Sequence, residues 1–215
     1  IEKNRILDIG AGTGAISLVL AKRPEKLDIF AVENFPAHVE LLKENIIINQ
    51  LIGQITVIDS DISNLGCVFS GKKFDHIVTN PPFYEKKVNQ LPNNLGKRVA
   101  FHESKVSLKE WIRYCVDLLK IGGSFTLIIP YYRYHEIISV FSEIFFTLRV
   151  LNLLPREGEY PKRVIVQGWL KGDERVKKIY SFELHQKETN GFTSRAEDIL
   201  RRGKTLKLAE PLADC

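Results

Sequence analysis

Residues 79–84 read Thr-Asn-Pro-Pro-Phe-Tyr and follow the apolar run Phe74 to Val78. That run predicts a buried strand, and the residues that stop it are chemically pointed. The two prolines fix φ near about −65° and remove backbone donors, which leaves a stiff loop rich in acceptors. The Asn80 side-chain oxygen and the Pro81 carbonyl then form a pair of acceptors at one spot, suited to a planar NH2 group. An exocyclic amine on adenine is a poor nucleophile because its lone pair is delocalised into the ring. Holding both hydrogens out of plane localises that pair and aims it at an electrophilic methyl. Phe83 is placed to stack on the base, worth roughly 1–3 kcal/mol, and alignment of the reactants draws on about 7–11 kcal/mol of proximity in favourable cases. The amine becomes strongly acidic only after it carries the methyl, so no general base is required before attack. Asn80, Pro81, Pro82 and Phe83 are therefore the candidate catalytic residues. The plainer reading of the same residues is a proline-terminated strand whose two aromatics cover a core edge.

A second group of residues suits a cofactor. Asp8-Ile9-Gly10-Ala11-Gly12-Thr13-Gly14 sits where a first strand meets a helix. Glycines there let the backbone turn sharply and approach a ligand without a Cβ in the way. Glu33, at the end of the second predicted strand, is placed to accept from ribose hydroxyls. Asp61 follows the third strand; it suits an adenine amino group, with Ile62 packing on the ring, or equally a helix N-cap. Gly10-x-Gly12-x-x-Ala15 also satisfies the dinucleotide fingerprint, so a nicotinamide enzyme stays open on this stretch alone. Gly14 and the acid Asp8 favour instead a cofactor with an amino-acid end, because a carboxylate attracts an ammonium and repels a pyrophosphate.

The elements that position these residues alternate. Strands are predicted at 6–9, 27–33, 55–58, 74–79, 124–129, 147–154 and 164–170, and helices at 15–22, 36–49, 108–119 and 134–146, with Gly122-Gly123 ending the third helix. Such alternation implies an α/β, Rossmann-like fold: a mostly parallel seven-stranded sheet with helices on both faces and an antiparallel edge hairpin. Residues 1–170 read as the main domain. Residues 171–215 read as an extension packed on it, with a strand candidate at 178–185 and a helix at 194–202 capped by Thr193.

The 215 residues carry net charge +5 and a sequence pI near 9.0, an excess that favours a polyanionic partner. No apolar run approaches the roughly 20 residues that span a bilayer. The three cysteines lie far apart without CxxC spacing, so neither a disulfide framework nor a metal site is expected, and the cytoplasm is the expected compartment.

With Asn80-Pro81-Pro82-Phe83 joined to the glycine turn, the chain resembles the class I S-adenosylmethionine-dependent methyltransferases, in the amino-methylating group marked by (N/D)PP(F/Y). Residues 155–164, Pro-Arg-Glu-Gly-Glu-Tyr-Pro-Lys-Arg-Val, and 192–197, Phe-Thr-Ser-Arg-Ala-Glu, are similar to segments of bacterial tRNA1(Val) adenine N6-methyltransferases, which modify the adenine at position 37 beside the anticodon. The resemblance implies that Asp8, Gly10, Ala11, Gly12, Gly14, Glu33, Asp61, Ile62 and Asn80 hold S-adenosylmethionine, and that Asn80 to Phe83 hold the target base. It implies a tRNA partner, and Tyr84, Lys86, Lys87, Arg98, Lys162 and Arg163 are the residues expected to contact it. The family has a segment before the glycine turn, whereas this chain enters a strand almost at Ile1, so that segment is expected to be missing here. A monomer is expected. Glutamine amides of a protein and the N2 amine of guanine present the same NH2 group and remain alternatives, as does an RNA-binding protein that keeps the fold without the chemistry.

Overall fold

The computed structural model describes residues 4–81, 106–171 and 176–206. The first strand, β1 (Asn4–Ile9), carries Ile6, Leu7 and Ile9 in an unbroken apolar run, and all three are buried. A run of that kind belongs to a strand covered on both faces. It is followed by α1 (Ala15–Ala21), β2 (Leu27–Glu33) and α2 (Pro36–Ile48). Pro36 begins α2, where a missing N–H costs nothing. Val39, Leu42 and Ile46 form its buried stripe. Next come β3 (Ile55–Asp59), a 3₁₀ turn (Ile62–Asn64), α3 (Leu65–Val68), β4 (Phe74–Thr79), α4 (Leu108–Val116) and β5 (Leu119–Pro130). The remainder is a 3₁₀ turn (Tyr131–Arg133), α5 (Tyr134–Ile144), β6 (Thr147–Leu154), β7 (Arg163–Trp169), β8 (Val176–Glu183) and α6 (Ser194–Leu200).

The strands are hydrogen-bonded in the order β3-β2-β1-β4-β5-β7-β6-β8. Pairing is parallel between β1 and β2, β1 and β4, β2 and β3, and β6 and β8, and antiparallel between β6 and β7. The α/β sheet is thus as expected in kind, with eight strands among the described residues in place of seven. The additional strand is β8, which pairs along β6 from Val176 to Glu183, so β8 and not the β6–β7 hairpin forms that edge. Phe182 makes the pairing worthwhile by burying its ring with Leu151 and Ala196. The exposed Lys177 and Lys178 protect the edge against further strand addition.

Two helix ends also differ from expectation. Helix α4 stops at Val116, three residues before the predicted Leu119, and Gly122 and Gly123 lie inside β5. The Leu118 carbonyl accepts from the Phe74 N–H at 2.9 Å, which takes that residue out of any helical ladder. A Cβ on Gly123 would lie 2.8 Å from the Asp75 carbonyl oxygen. The glycine therefore permits a close strand approach and does not end a helix. Helix α5 stops at Ile144, because the Phe146 N–H donates to the Trp169 carbonyl at 3.0 Å and so joins the sheet.

The chain forms two compact units, Ile1–Phe125 and Thr126–Cys215. In the first unit, Ile6, Ile29, Ala31, Leu42, Ile46, Leu51 and Ile55 make one cluster under α2. Phe30, Phe69 and Phe74 make an edge-to-face trio with centroids 5.0 to 5.8 Å apart. Among the described residues, no helix is long and apolar enough to cross a membrane.

Phe74 has no exposed surface and touches both other rings of its trio. Phe74→Ala is expected to cost about 3–5 kcal/mol, the usual range for such a cavity. Urea unfolding followed by circular dichroism measures it, and a loss under 1 kcal/mol would show that the trio does not anchor the first unit.

Candidate active site

The parallel register brings four strand ends to one edge. Ile9 pairs with Val32 on one side and Thr79 on the other, and Glu33 pairs with Asp59. Asn80 is the next residue after Thr79 and is exposed, while Pro81 is buried. The turn after β1 and the Asn-Pro step after β4 therefore leave the sheet side by side. The ends of parallel strands are where open α/β sheets bind ligands.

The turn itself is held from behind. The Val32 carbonyl accepts from the N–H groups of both Gly10 and Ala11 at 2.9 Å. Glu33 Oε2 accepts from the Gly12 N–H at 2.7 Å, and Oε1 accepts from the Asn34 and Phe35 N–H groups at 3.0 and 2.9 Å. Gly12 and Gly14 show why two of the glycines are needed. Both have positive φ, but a Cβ on Gly14 would collide with Leu42 Cδ1, whereas a Cβ on Gly12 would meet no heavy atom of the described residues within 4 Å. Gly14 seats the first turn of α1 against α2, and Gly12 leaves an open face for close approach. Glu33 is thus buried and already engaged with three N–H groups. A carboxylate oxygen accepts two hydrogen bonds, so Oε2 retains a lone pair.

Asp8 has no exposed surface. Its Oδ2 accepts from the Ser17 N–H at 3.1 Å and from Ser17 Oγ at 2.6 Å, while Oδ1 has no partner among the described residues. Burial pushes the Asp8 carboxyl up from 3.8 to about 6, against the lowering effect of Ser17, with the Glu33 charge adding to the rise. Asp61 accepts from the Ser63 N–H and Oγ through Oδ1, at 2.8 and 2.6 Å, and from Asn34 Nδ2 through Oδ2 at 3.2 Å. This is the N-cap arrangement that the sequence left open beside the ligand reading. Ile62, expected to pack on a ring, is buried.

Two contributors were missed in the sequence. Ser17 clamps Asp8. Trp111, carried by α4, lies with its ring 3.6 Å from where a Gly10 Cβ would stand. Its Nε1 donates to Thr79 Oγ1 at 3.2 Å, and Thr79 Oγ1 donates to the Ile9 carbonyl at 2.7 Å. The indole thus braces β1 against β4 just before Gly10 and Asn80. Helix α4 is well defined, since Ser107 and Glu110 form a reciprocal capping box. The signal for Trp111 was its place next to Ile112 on the stripe Leu108, Ile112, Cys115.

Of the other predicted contacts, Lys162 and Arg163 are exposed and stand in the second unit, at the start of β7. Pro82, Phe83, Tyr84, Lys86, Lys87 and Arg98 lie outside the described residues.

An open glycine turn, three acids and the exposed Asn80 before a buried proline at one sheet edge fit a small cofactor beside an amine substrate. Residues 1–152 match the family described as Methyltransferase small domain. The chain belongs to that family. Among curated relatives of this methyltransferase are two named tRNA1(Val) (adenine(37)-N6)-methyltransferase. One, from Bacteroides thetaiotaomicron, is 32% identical over 165 residues, covering 76% of this chain and 68% of its own. The other, from Haemophilus influenzae, is 30% identical over 162 residues, covering 75% and 67%. A solved structure, a predicted O-methyltransferase from Agrobacterium tumefaciens, superposes with a TM-score of 0.70 at 22% identity, covering 91% of this chain and 88% of that one; the likeness is one of fold.

The rise of Asp8 from 3.8 to about 6 means that the folded state prefers the protonated acid. Its contribution to stability is full below pH 3.8 and is lost as pH rises through about 6, a change of ~3 kcal/mol. Asp8→Asn keeps an acceptor for Ser17 without the buried charge, so it is expected to raise stability at pH 7.5 by about 1–3 kcal/mol. The difference between variant and wild type should shrink toward pH 4. Denaturant midpoints across that range test it, and a constant difference would mean that burial does not govern this carboxyl.

Proposed function

We propose that this methyltransferase transfers a methyl group from S-adenosylmethionine to the exocyclic N6 amine of an adenine in tRNA, at position 37, in the cytoplasm. The observation that carries the reading is the pair of relatives bearing that activity in their names, at about 30% identity over three quarters of the chain. The family match over residues 1–152 takes in both the glycine turn and Asn80-Pro81.

When bound, S-adenosylmethionine supplies an electrophilic methyl on a sulfonium sulfur. The residues of the chain bind and orient. Gly10, Ala11, Gly12 and Gly14 would give the cofactor a backbone surface, with Gly12 leaving a face free of side-chain atoms. Glu33 accepts from ribose hydroxyls with the lone pair left on Oε2. Asp8 offers the field of a buried carboxylate, with Oδ1 unpartnered, to the ammonium of the amino-acid end. Asp61 and Ile62 serve the adenine end of the cofactor. Asn80 accepts one hydrogen of the target amine and the Pro81 carbonyl the other, with Pro82 and Phe83 completing the base site. Bringing a stacked adenine into such a site costs a few kcal/mol, least where the base is in a loop.

Two measurements test this. Protein incubated with labelled S-adenosylmethionine and unmodified tRNA, followed by digestion to nucleosides and mass spectrometry, is expected to yield N6-methyladenosine. Label on a protein glutamine in place of RNA would overturn the substrate, and RNA retention with no cofactor affinity would reduce the chain to a binding module. Asn80→Ala is expected to lower kcat about 100-fold or more, the usual loss for a hydrogen bond made in the transition state, with a much smaller rise in cofactor Kd. Unchanged turnover would remove Asn80 from its role.

A further inference from the structure

The second unit contains a cavity of about 200 Å³ lined by Leu153, Pro155, Lys162, Arg163, Leu184 and His185. Drug-sized ligands use roughly 300–1,000 Å³, so this one is sized for a single flat ring system. Its walls are fixed by the backbone. The Lys162 N–H donates to the Leu153 carbonyl at 3.1 Å, the Leu184 N–H to the Leu154 carbonyl at 2.9 Å and the His185 N–H to the Pro155 carbonyl at 2.9 Å. The His185 ring is held by stacking on Phe192, with centroids 4.9 Å apart and planes at 17°.

The charges around it are unequal in kind. Glu157 pairs with Lys187 at 3.4 Å and Glu159 with Arg156 at 3.5 Å, so both acids of the β6–β7 loop are matched. Arg156 also donates to Asn190 Oδ1 at 2.7 Å, which ties this loop to the one before α6. Lys162 and Arg163 line the cavity, are exposed, and form no ion pair among the described residues. Two residues before Lys162, at the loop end, the Tyr160 ring is 86% exposed. An apolar slot for one ring, two unmatched cations beside it and a free aromatic next to them complement one unpaired nucleotide: a flat base with phosphates on either side.

We propose that this cavity is a second base site, which takes one unpaired base of the substrate RNA other than the one methylated. Lys162 and Arg163 hold the flanking phosphates, and Tyr160 stacks a neighbouring base. The proposal rests on the RNA reading above, and its test separates the two. Fluorescence anisotropy with the full chain measures binding of two labelled probes: an unmodified anticodon stem-loop transcript and a fully paired RNA duplex of equal length. Lys162→Ala with Arg163→Ala is expected to weaken stem-loop binding at least about tenfold and to reduce the slope of log K against log salt by about 1.4, the contribution of two phosphates on a single strand. Tyr160→Ala and His185→Ala are each expected to weaken the stem-loop about tenfold and to leave the duplex within about twofold. Binding of S-adenosylhomocysteine should be unchanged in all of them. Tyr160 is too exposed for its removal to unfold the chain, so its result stands even where His185→Ala lowers Tm. Stem-loop affinities equal to wild type, or equal losses on stem-loop and duplex for Tyr160→Ala and His185→Ala, would overturn the base site. Failure of the wild type to bind either RNA would overturn the RNA reading beneath it.

Discussion

The Glu33 carboxylate, almost wholly buried, accepts hydrogen bonds from the backbone N–H groups of Gly12, Asn34 and Phe35. A buried charge is costly unless it is well satisfied, and charge-assisted bonds of this kind contribute roughly 1.5–3 kcal/mol each. Three of them on one side chain join the turn after β1 to the step from β2 into α2. The neighbouring Val32 carbonyl supports Gly10 and Ala11 in the same way. Two consecutive residues at the end of β2 therefore hold the whole glycine turn, and the open face at Gly12 exists because its amide is tied from behind. An acid that a sequence reading assigns to a ligand is thus also the brace of the glycine turn.

Asp8 shows a different compromise. Its carboxylate is enclosed by the protein, satisfied on one oxygen by Ser17 and unpartnered on the other. Glu33 lies near enough to raise its pKa further. Two acids under one turn repel each other, and a cation brought there would relieve both. Groups kept at a cost to stability are characteristic of binding sites.

The segment Pro155 to Val164 divides in a similar way once its partners are known. Arg156, Glu157 and Glu159 are occupied in holding the loop, while Tyr160, Lys162 and Arg163 face outward. In the sequence, Arg156 and Arg163 look alike. What separates them is the loop from Gln186 to Phe192, some 30 residues away, which supplies the partner for one and none for the other.

By itself the sequence determined the order of the strands up to β7 and of the helices between them except the short α3, the turn after β1, the acids at successive strand ends and the Asn-Pro stop after β4. These are legible because each depends on a local rule: strand and helix periods, φ limits of Gly and Pro, and caps. Only the tertiary structure decided that α4 ends at Val116, that Gly122 and Gly123 belong to β5, that β8 completes the sheet, and that Trp111 and Ser17 serve the site. All but the Ser17 clamp, whose partner Asp8 lies nine residues away, are set by a contact between residues far apart in the chain: Leu118 with Phe74, Gly123 with Asp75, Phe182 with Leu151, and Trp111 with Thr79. Local propensity differs by tenths of a kcal/mol between the alternatives at such places, and a single buried ring or close backbone approach outweighs it.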